Sequence, residues 1–269
     1  MAIKLVALDI DDTLLNSKGE ILESTKKVIS QALDQGIKVV LCSGRPLAGV
    51  KPYLDQLGIQ GDDQYAVTYN GAIICSASGR ILAKELLDNQ QYRRLTAFGK
   101  EHQVPFNVLD EHSVIYTADH DIDFVTVVQA WENEAGIMVR QPDELPADFT
   151  ITKGAFVGDP ERLDQIQPLV ETTFGDEMYV VRAGKCFLEM MNSKVNKGNA
   201  LAQLSELLQI APDEVMVFGD EGNDLAMFDF AGIAVCMGNG SDEAKAQADF
   251  VTASNDDDGI AQAFEKFIH

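Results

Sequence analysis

Three apolar runs in this chain each stop abruptly at a short polar cluster, and that pattern limits the possible folds more than any other feature. Leu5-Val6-Ala7-Leu8 runs into Asp9-Ile10-Asp11-Asp12-Thr13, and Val39-Val40-Leu41-Cys42 runs into Ser43-Gly44-Arg45. The third, Val215-Met216-Val217-Phe218, runs into Gly219-Asp220-Glu221-Gly222-Asn223-Asp224. Short continuous apolar runs bounded by turn residues read as strands buried on both faces, as in parallel sheets. In an open parallel sheet, ligands bind in the crevice outside the carboxyl ends of the strands. If the three strands are neighbours, Asp9, Asp11, Ser43 and Asp220 converge on one small volume. Carboxylates gathered in this way repel one another and call for a cation between them. The expectation is a divalent metal and an oxyanion.

The intervening sequence supports an α/β reading. Residues 3–9 read as a strand, and residues 24–35 place Val28, Ile29, Ala32 and Leu33 on one helical face. Gly36 is placed to end that helix in the left-handed conformation. Ile37 to Cys42 form the next strand, Pro46 suits the start of the following helix, and Tyr65 to Tyr69 form another short strand. This is βαβ logic, with parallel strands and right-handed crossovers. Residues 86–184 read differently. Strands at 114–117, 151–157 and 178–181 alternate with helical stretches near 90–102, 121–135 and 160–173, as in an inserted α+β domain. The α/β pattern resumes with a helix at 197–208, a strand at 215–219, a helix at 223–230 and short strands near 233–236 and 249–252. The expected organisation is a core of 1–85 and 185–269 around an insert of 86–184. The acidic run Asn255-Asp256-Asp257-Asp258-Gly259 reads as a loop or helix start.

Composition narrows the partners. An apolar fraction of 46% and a charged fraction of 24% are those of an ordinary globular protein. No run approaches the roughly 18 apolar residues of a membrane span, so the expectation is a cytoplasmic protein that does not engage a membrane. A formal charge of −22 argues against nucleic-acid binding. It also opposes a phosphorylated ligand, yet the Debye length of about 8 Å at physiological salt confines that repulsion to the surface. Cys42, Cys75, Cys186 and Cys236 are scattered and form no CxxC pair, which disfavours a disulfide framework or a zinc site. Nothing in the sequence sets the oligomeric state.

Each polar cluster has a plain reading and a chemical one. A single Asp after a strand is usually a cap or turn residue, but Asp9-x-Asp11-x-Thr13 can divide labour. One carboxylate attacks or binds metal while the other serves as acid and then base. Thr13 can hydrogen-bond within the loop and so fix where Asp11 points. Ser43 can cap the helix at Pro46, or present its hydroxyl to a phosphoryl oxygen. Asp220 and Asp224 read as loop solvation or as ligand contacts. Lys197, at a helix start, opposes the helix dipole. It is either a solvated surface lysine or a partner for an anion.

In order, Asp9-Ile10-Asp11-Asp12-Thr13, Ser43, Lys197 and Gly219-Asp220-Glu221-Gly222-Asn223-Asp224 resemble the four motifs of the haloacid dehalogenase-like hydrolases. Ser43-Gly44-Arg45-Pro46, Tyr69-Asn70-Gly71-Ala72 and Val195-Asn196-Lys197-Gly198 extend the match to the Cof-type members, the group of the YidA-like sugar phosphatases. The resemblance covers the whole chain. It implies a doubly wound, mostly parallel Rossmann-like sheet with an inserted α+β cap that chooses the substrate. It further implies a Mg²⁺-dependent phosphatase acting on a small phosphorylated metabolite through an aspartyl-phosphate. On that reading Asp9 is the nucleophile and Asp11 the acid and base. Mg²⁺ sits on Asp9, the main-chain carbonyl of Asp11, and Asp220. Ser43, Gly44, Lys197 and Asn223 hold phosphoryl oxygens, with Thr13 and Asp224 in support. Arg45, Asn70 and Gly71 follow core strands and are candidate substrate contacts; Tyr116, His120 and Lys153 are weaker candidates in the cap. Asp12 departs from the family, which usually has glycine there, but aspartate tolerates positive φ better than most residues. Rival readings are a phosphotransferase or phosphomutase with the same nucleophile, and a non-catalytic phospholigand sensor.

Overall fold

The computed structural model describes residues 2–133 and 135–268. The chain divides into two units, residues 1–83 with 196–269, and residues 84–195. In the first segment β1 (Leu5–Leu8), α1 (Glu23–Asp34), β2 (Lys38–Cys42), α2 (Leu47–Gln56) and β3 (Tyr65–Thr68) alternate as expected, followed by β4 (Ile73–Ser76) and β5 (Ile81–Lys84). Gly36 adopts φ 82°, which lets the chain turn back after α1.

The second unit contains α3 (Asn89–His102), β6 (Phe106–Leu109), β7 (Ile115–Thr117), α4 (Phe124–Glu132) and β8 (Ile137–Val139). It continues with β9 (Lys153–Val157), α5 (Pro160–Phe174), β10 (Met178–Arg182) and β11 (Phe187–Asn192). Its six-stranded sheet runs β10-β11-β9-β6-β7-β8, with antiparallel pairs except β7 with β8. Leu95, Phe98, Leu163, Ile166 and Val170 from α3 and α5 pack with Phe106, Phe156, Leu188 and Met190 on one sheet face.

The first unit resumes with α6 (Lys197–Leu208), β12 (Val215–Gly219), α7 (Leu225–Phe230), β13 (Ile233–Cys236), α8 (Asp242–Gln247), β14 (Phe250–Val251) and α9 (Gly259–Phe267). Its sheet order is β14-β13-β12-β1-β2-β3-β4-β5. Every pair from β14 to β3 is parallel, and only the β3–β4 hairpin introduces an antiparallel pairing among the registers resolved. β1 therefore lies in the middle of the sheet, its four residues fully buried, with β12 on one side and β2 on the other. This is the doubly wound, mostly parallel α/β architecture with an α+β insertion.

Both boundaries differ from the sequence reading. Residues 84–85 and, at the other end, 185–195, expected with the core, belong to the second unit. For 185–195, β11 supplies the physical reason, because it pairs with β10 and β9 over most of its length. Its sequence Phe-Leu-Glu-Met-Met-Asn lacks the β-branched residues that mark a strand, so its partners decide its conformation.

Candidate active site

The three strands that announced themselves in the sequence are consecutive in the sheet, in the order β12-β1-β2. Asp220, Asp9 and Ser43 follow their respective last residues, so all three leave the sheet at the same edge. All are buried, Asp9 being 6%, Asp220 5% and Ser43 1% exposed.

Lys197 is the first residue of α6, and at 1% exposure it is no surface lysine. Its Nζ donates to Asp9 Oδ1 at 2.5 Å and to Asp224 Oδ1 at 2.7 Å. The start of α6 is held close by two small residues. Gly71, at φ 107°, faces the Asn196 carbonyl, and Gly198 faces the Ala226 carbonyl with no room for a Cβ. Asp224 is completely buried, and its second oxygen accepts from the backbone N–H groups of Asp220 and Glu221 at 2.9 and 3.2 Å. It thus orients Lys197 and the 220–221 backbone together.

Thr13 does not fix Asp11 as expected. Its hydroxyl donates to Asp220 Oδ1 at 2.8 Å, because the turn after Asp9 carries residue 13 back toward β12. Asp11 is exposed and held by Arg45 in a two-pronged ion pair, Nη2 to Oδ1 at 2.5 Å and Nε to Oδ2 at 3.0 Å. Arg45 rests against Tyr53, its guanidinium 5.7 Å from the ring centre. Ser43 does not cap α2; its Oγ accepts from the Arg45 N–H at 3.1 Å.

The loops after β2 and β3 are knitted by main-chain bonds, Asn70 N–H to the Ser43 carbonyl at 2.9 Å and Tyr69 N–H to the Arg45 carbonyl at 3.1 Å. Those bonds set the Asn70 side chain beside Gly44, where an added Cβ would lie 3.1 Å from it. Asn70 Oδ1 is buried with no hydrogen-bond partner among the described residues. Asn223 is exposed on the 222–224 turn. In the second unit His120 is exposed and Tyr116 packs edge-on against Phe149, whereas Lys153 is buried and paired with Glu189.

Electrostatics make the cluster unusual. Carboxylate oxygens of Asp9, Asp220 and Asp224 lie within 4.8 Å of one another, against the single ammonium of Lys197. Burial and the neighbouring Asp224 and Asp12 push Asp220 up to about 7, although the Thr13 hydroxyl opposes this. Burial also raises Asp9, against the pull of Lys197. For Lys197 burial works against the charge, but Asp224 and Asp9 outweigh it and keep the ammonium protonated. The site therefore holds excess negative charge that a cation would relieve. Both Asp224 oxygens are engaged by N–H donors, which leaves Asp9 and Asp220 as the carboxylates suited to an ion.

A family model of haloacid dehalogenase-like hydrolases matches residues 6–264. The chain belongs to that family. YxeH of Bacillus subtilis (strain 168), named as a phosphatase, is 35% identical over 266 residues, covering 98% of both chains. YcsE of the same organism, named 5-amino-6-(5-phospho-D-ribitylamino)uracil phosphatase, is 27% identical over 266 residues, covering 99% of this chain and 96% of its own. Among solved structures, a haloacid dehalogenase-like hydrolase from Bacteroides thetaiotaomicron superposes with a TM-score of 0.87 at 29% identity, over 98% of this chain and 99% of that one. The sugar phosphatase BT4131, described as a member of subclass IIB, shares the fold with a TM-score of 0.79 at 24% identity, over 98% of both chains.

The sequence reading missed the Arg45–Asp11 pair and the Thr13–Asp220 bond. Both join residues whose side-chain directions are set by loops, which periodicity does not describe.

Proposed function

We propose that this hydrolase is a Mg²⁺-dependent phosphatase of small phosphomonoesters, sugar phosphates foremost, working through an aspartyl-phosphate on Asp9. The observation that carries the reading is Asp9 at the end of the central strand, bonded to buried Lys197 and beside Asp220. Lys197 there is a fixed, dehydrated cation, and phosphoryl transfer is mostly positioning plus charge neutralisation.

An oxygen of Asp9 attacks phosphorus in line as the bond to the alcohol oxygen breaks, and Asp11, parted from Arg45 and protonated from solvent beforehand, gives that oxygen its proton. Asp11 then takes a proton from water, whose oxygen attacks the same phosphorus. The bond to Asp9 breaks, releasing phosphate and restoring the carboxylate. Lys197 and the Ser43 hydroxyl hold phosphoryl oxygens, with the Gly44 N–H and Asn223 in reach of the same role. Asp9, Asp220 and the Asp11 carbonyl are the groups to hold Mg²⁺, a hard cation that takes oxygen ligands and supplies charge neutralisation. The Asn70 side chain, packed beside Gly44, is placed to fix the loop that presents Ser43 and Arg45 to the substrate. The inserted unit, as a cap, serves to exclude water and select the alcohol.

Asp9→Asn should abolish turnover of p-nitrophenyl phosphate, and a chelator should abolish it in the wild type until Mg²⁺ is restored. Activity near wild type in Asp9→Asn ends the proposal. With a hexose 1-phosphate, free phosphate identifies hydrolysis and an isomeric hexose phosphate identifies a mutase.

A further inference from the structure

We infer that Asn239 and Asn255, in the loops that follow β13 and β14, are positioning residues that clamp the Asp9–Leu15 turn. Between Asp9 and Leu15 the backbone makes a wide turn, closed by Leu14 N–H to the Asp9 carbonyl at 3.2 Å and Leu15 N–H to the Ile10 carbonyl at 2.9 Å. Inside it Asp11 is extended and Asp12 is left-handed, at φ 57° and ψ 5°. That conformation is unfavourable for a residue with a Cβ, although less so for aspartate than for most. Strained residues of this kind persist where the surroundings over-determine them.

The surroundings of Asp12 do so. Asn239 Nδ2 donates to the Asp12 carbonyl at 2.8 Å. The orientation of that amide is set by its other end, since Asn239 Oδ1 accepts from the Asn255 N–H at 2.9 Å. Asn255, only 8% exposed, donates through Nδ2 to the Leu15 carbonyl at 2.8 Å. The two asparagines thus hold both the middle and the end of the turn. The brace continues outward, with Asp256 accepting from the Ser17 N–H and Asp258 from the Ser24 hydroxyl. It is anchored behind by Thr252 Oγ1, which donates to the Gly259 carbonyl at 2.7 Å. The run 255–258, which reads in sequence as an acidic loop, grips the segment that carries the nucleophile. All these residues belong to the first unit.

Among the described residues no hydrogen bond joins either asparagine to the carboxylates of Asp9, Asp11 or Asp220, so their influence passes through the backbone. The kinetic part of the test rests on the proposed phosphatase reading; the exchange part does not. The variants are Asn239→Ala, at an exposed position that folding should tolerate, Asn255→Ala, and Asn239→Ala combined with Asp12→Gly. Amide exchange at Leu14 and Leu15 should quicken about tenfold in the single Asn variants while β1 stays protected. The kcat for p-nitrophenyl phosphate should fall on the order of tenfold with KM little changed, since small misplacements of reacting groups are costly. With glycine at position 12, which enters the left-handed region freely, the loss on removing Asn239 should be mostly recovered in both readouts. Unchanged exchange at Leu14 and Leu15 in both single variants overturns the clamp. So does a double variant no better than Asn239→Ala. If the wild type hydrolyses no phosphoester, the proposed activity fails while the exchange data still decide the clamp.

Discussion

Asp220 shows how one residue records the state of the whole cluster. Its folded value of about 7 lies above the ordinary 3.8. Between those two pH values the folded protein keeps a proton that the unfolded chain has lost, so this group's contribution to stability falls as pH rises from about 4 to about 7. Metal-free protein should therefore melt at a lower temperature at pH 8 than at pH 5 because of this group, and Asp220→Asn should flatten that slope. Mg²⁺ competes with the same proton, so it should raise the melting temperature more at pH 8 than at pH 6. A Mg²⁺ shift independent of pH would argue against Asp220 as a ligand. Ser43 makes a second test at this scale. Removing its hydroxyl with Ser43→Ala should cost roughly 3 kcal/mol of barrier, about a hundredfold in kcat, by analogy with oxyanion-hole donors. A loss confined to KM would mean that it binds ground state and transition state alike.

At the scale of elements, β11 holds its place in the sheet although its own sequence does not favour a strand. Glu189 lies opposite Ala155 of β9, and Ala155 lies opposite Asn107 of β6, which puts two polar residues in one row across the face away from the aromatic core. Lys153, two residues from Ala155 on the same face, reaches Glu189, and both side chains are more than nine-tenths buried. A buried pair is weak support against a well-packed apolar substitute, but breaking it strands a charge. Lys153→Met should cost about 3–5 kcal/mol in urea unfolding. Lys153→Met with Glu189→Leu should cost less than Lys153→Met alone. A double variant worse than the single one would show that the pair is net stabilising.

For the whole molecule, the charge of −22 acts on any phosphorylated substrate approaching from solution. Fields of this kind alter association rates and are screened by salt. Raising ionic strength from about 0.01 to about 0.15 M shortens the Debye length from about 30 to about 8 Å. The kcat/KM for a dianionic ester should therefore rise over that range, with kcat nearly constant. A fall would show that the local cations of the site, Lys197 above all, dominate even the approach.

The three apolar runs and their polar endings were enough to announce parallel strands, a shared carboxyl edge and a carboxylate cluster. Continuous apolar runs have few structural outcomes, and the register of a parallel sheet brings their ends together. Gly36 was legible for a similar local reason, whereas the left-handed Asp12 was anticipated only through the glycine that the family usually carries there. Tertiary structure alone decided the partners: Thr13 with Asp220 and not Asp11, Arg45 with Asp11, Lys197 buried and not solvated, and Asn239 under Asp12. It also placed β11 in the inserted unit. Each of these depends on side-chain direction and pairing between segments up to more than two hundred residues apart. Local propensity carries no information about which distant group will be there to meet them.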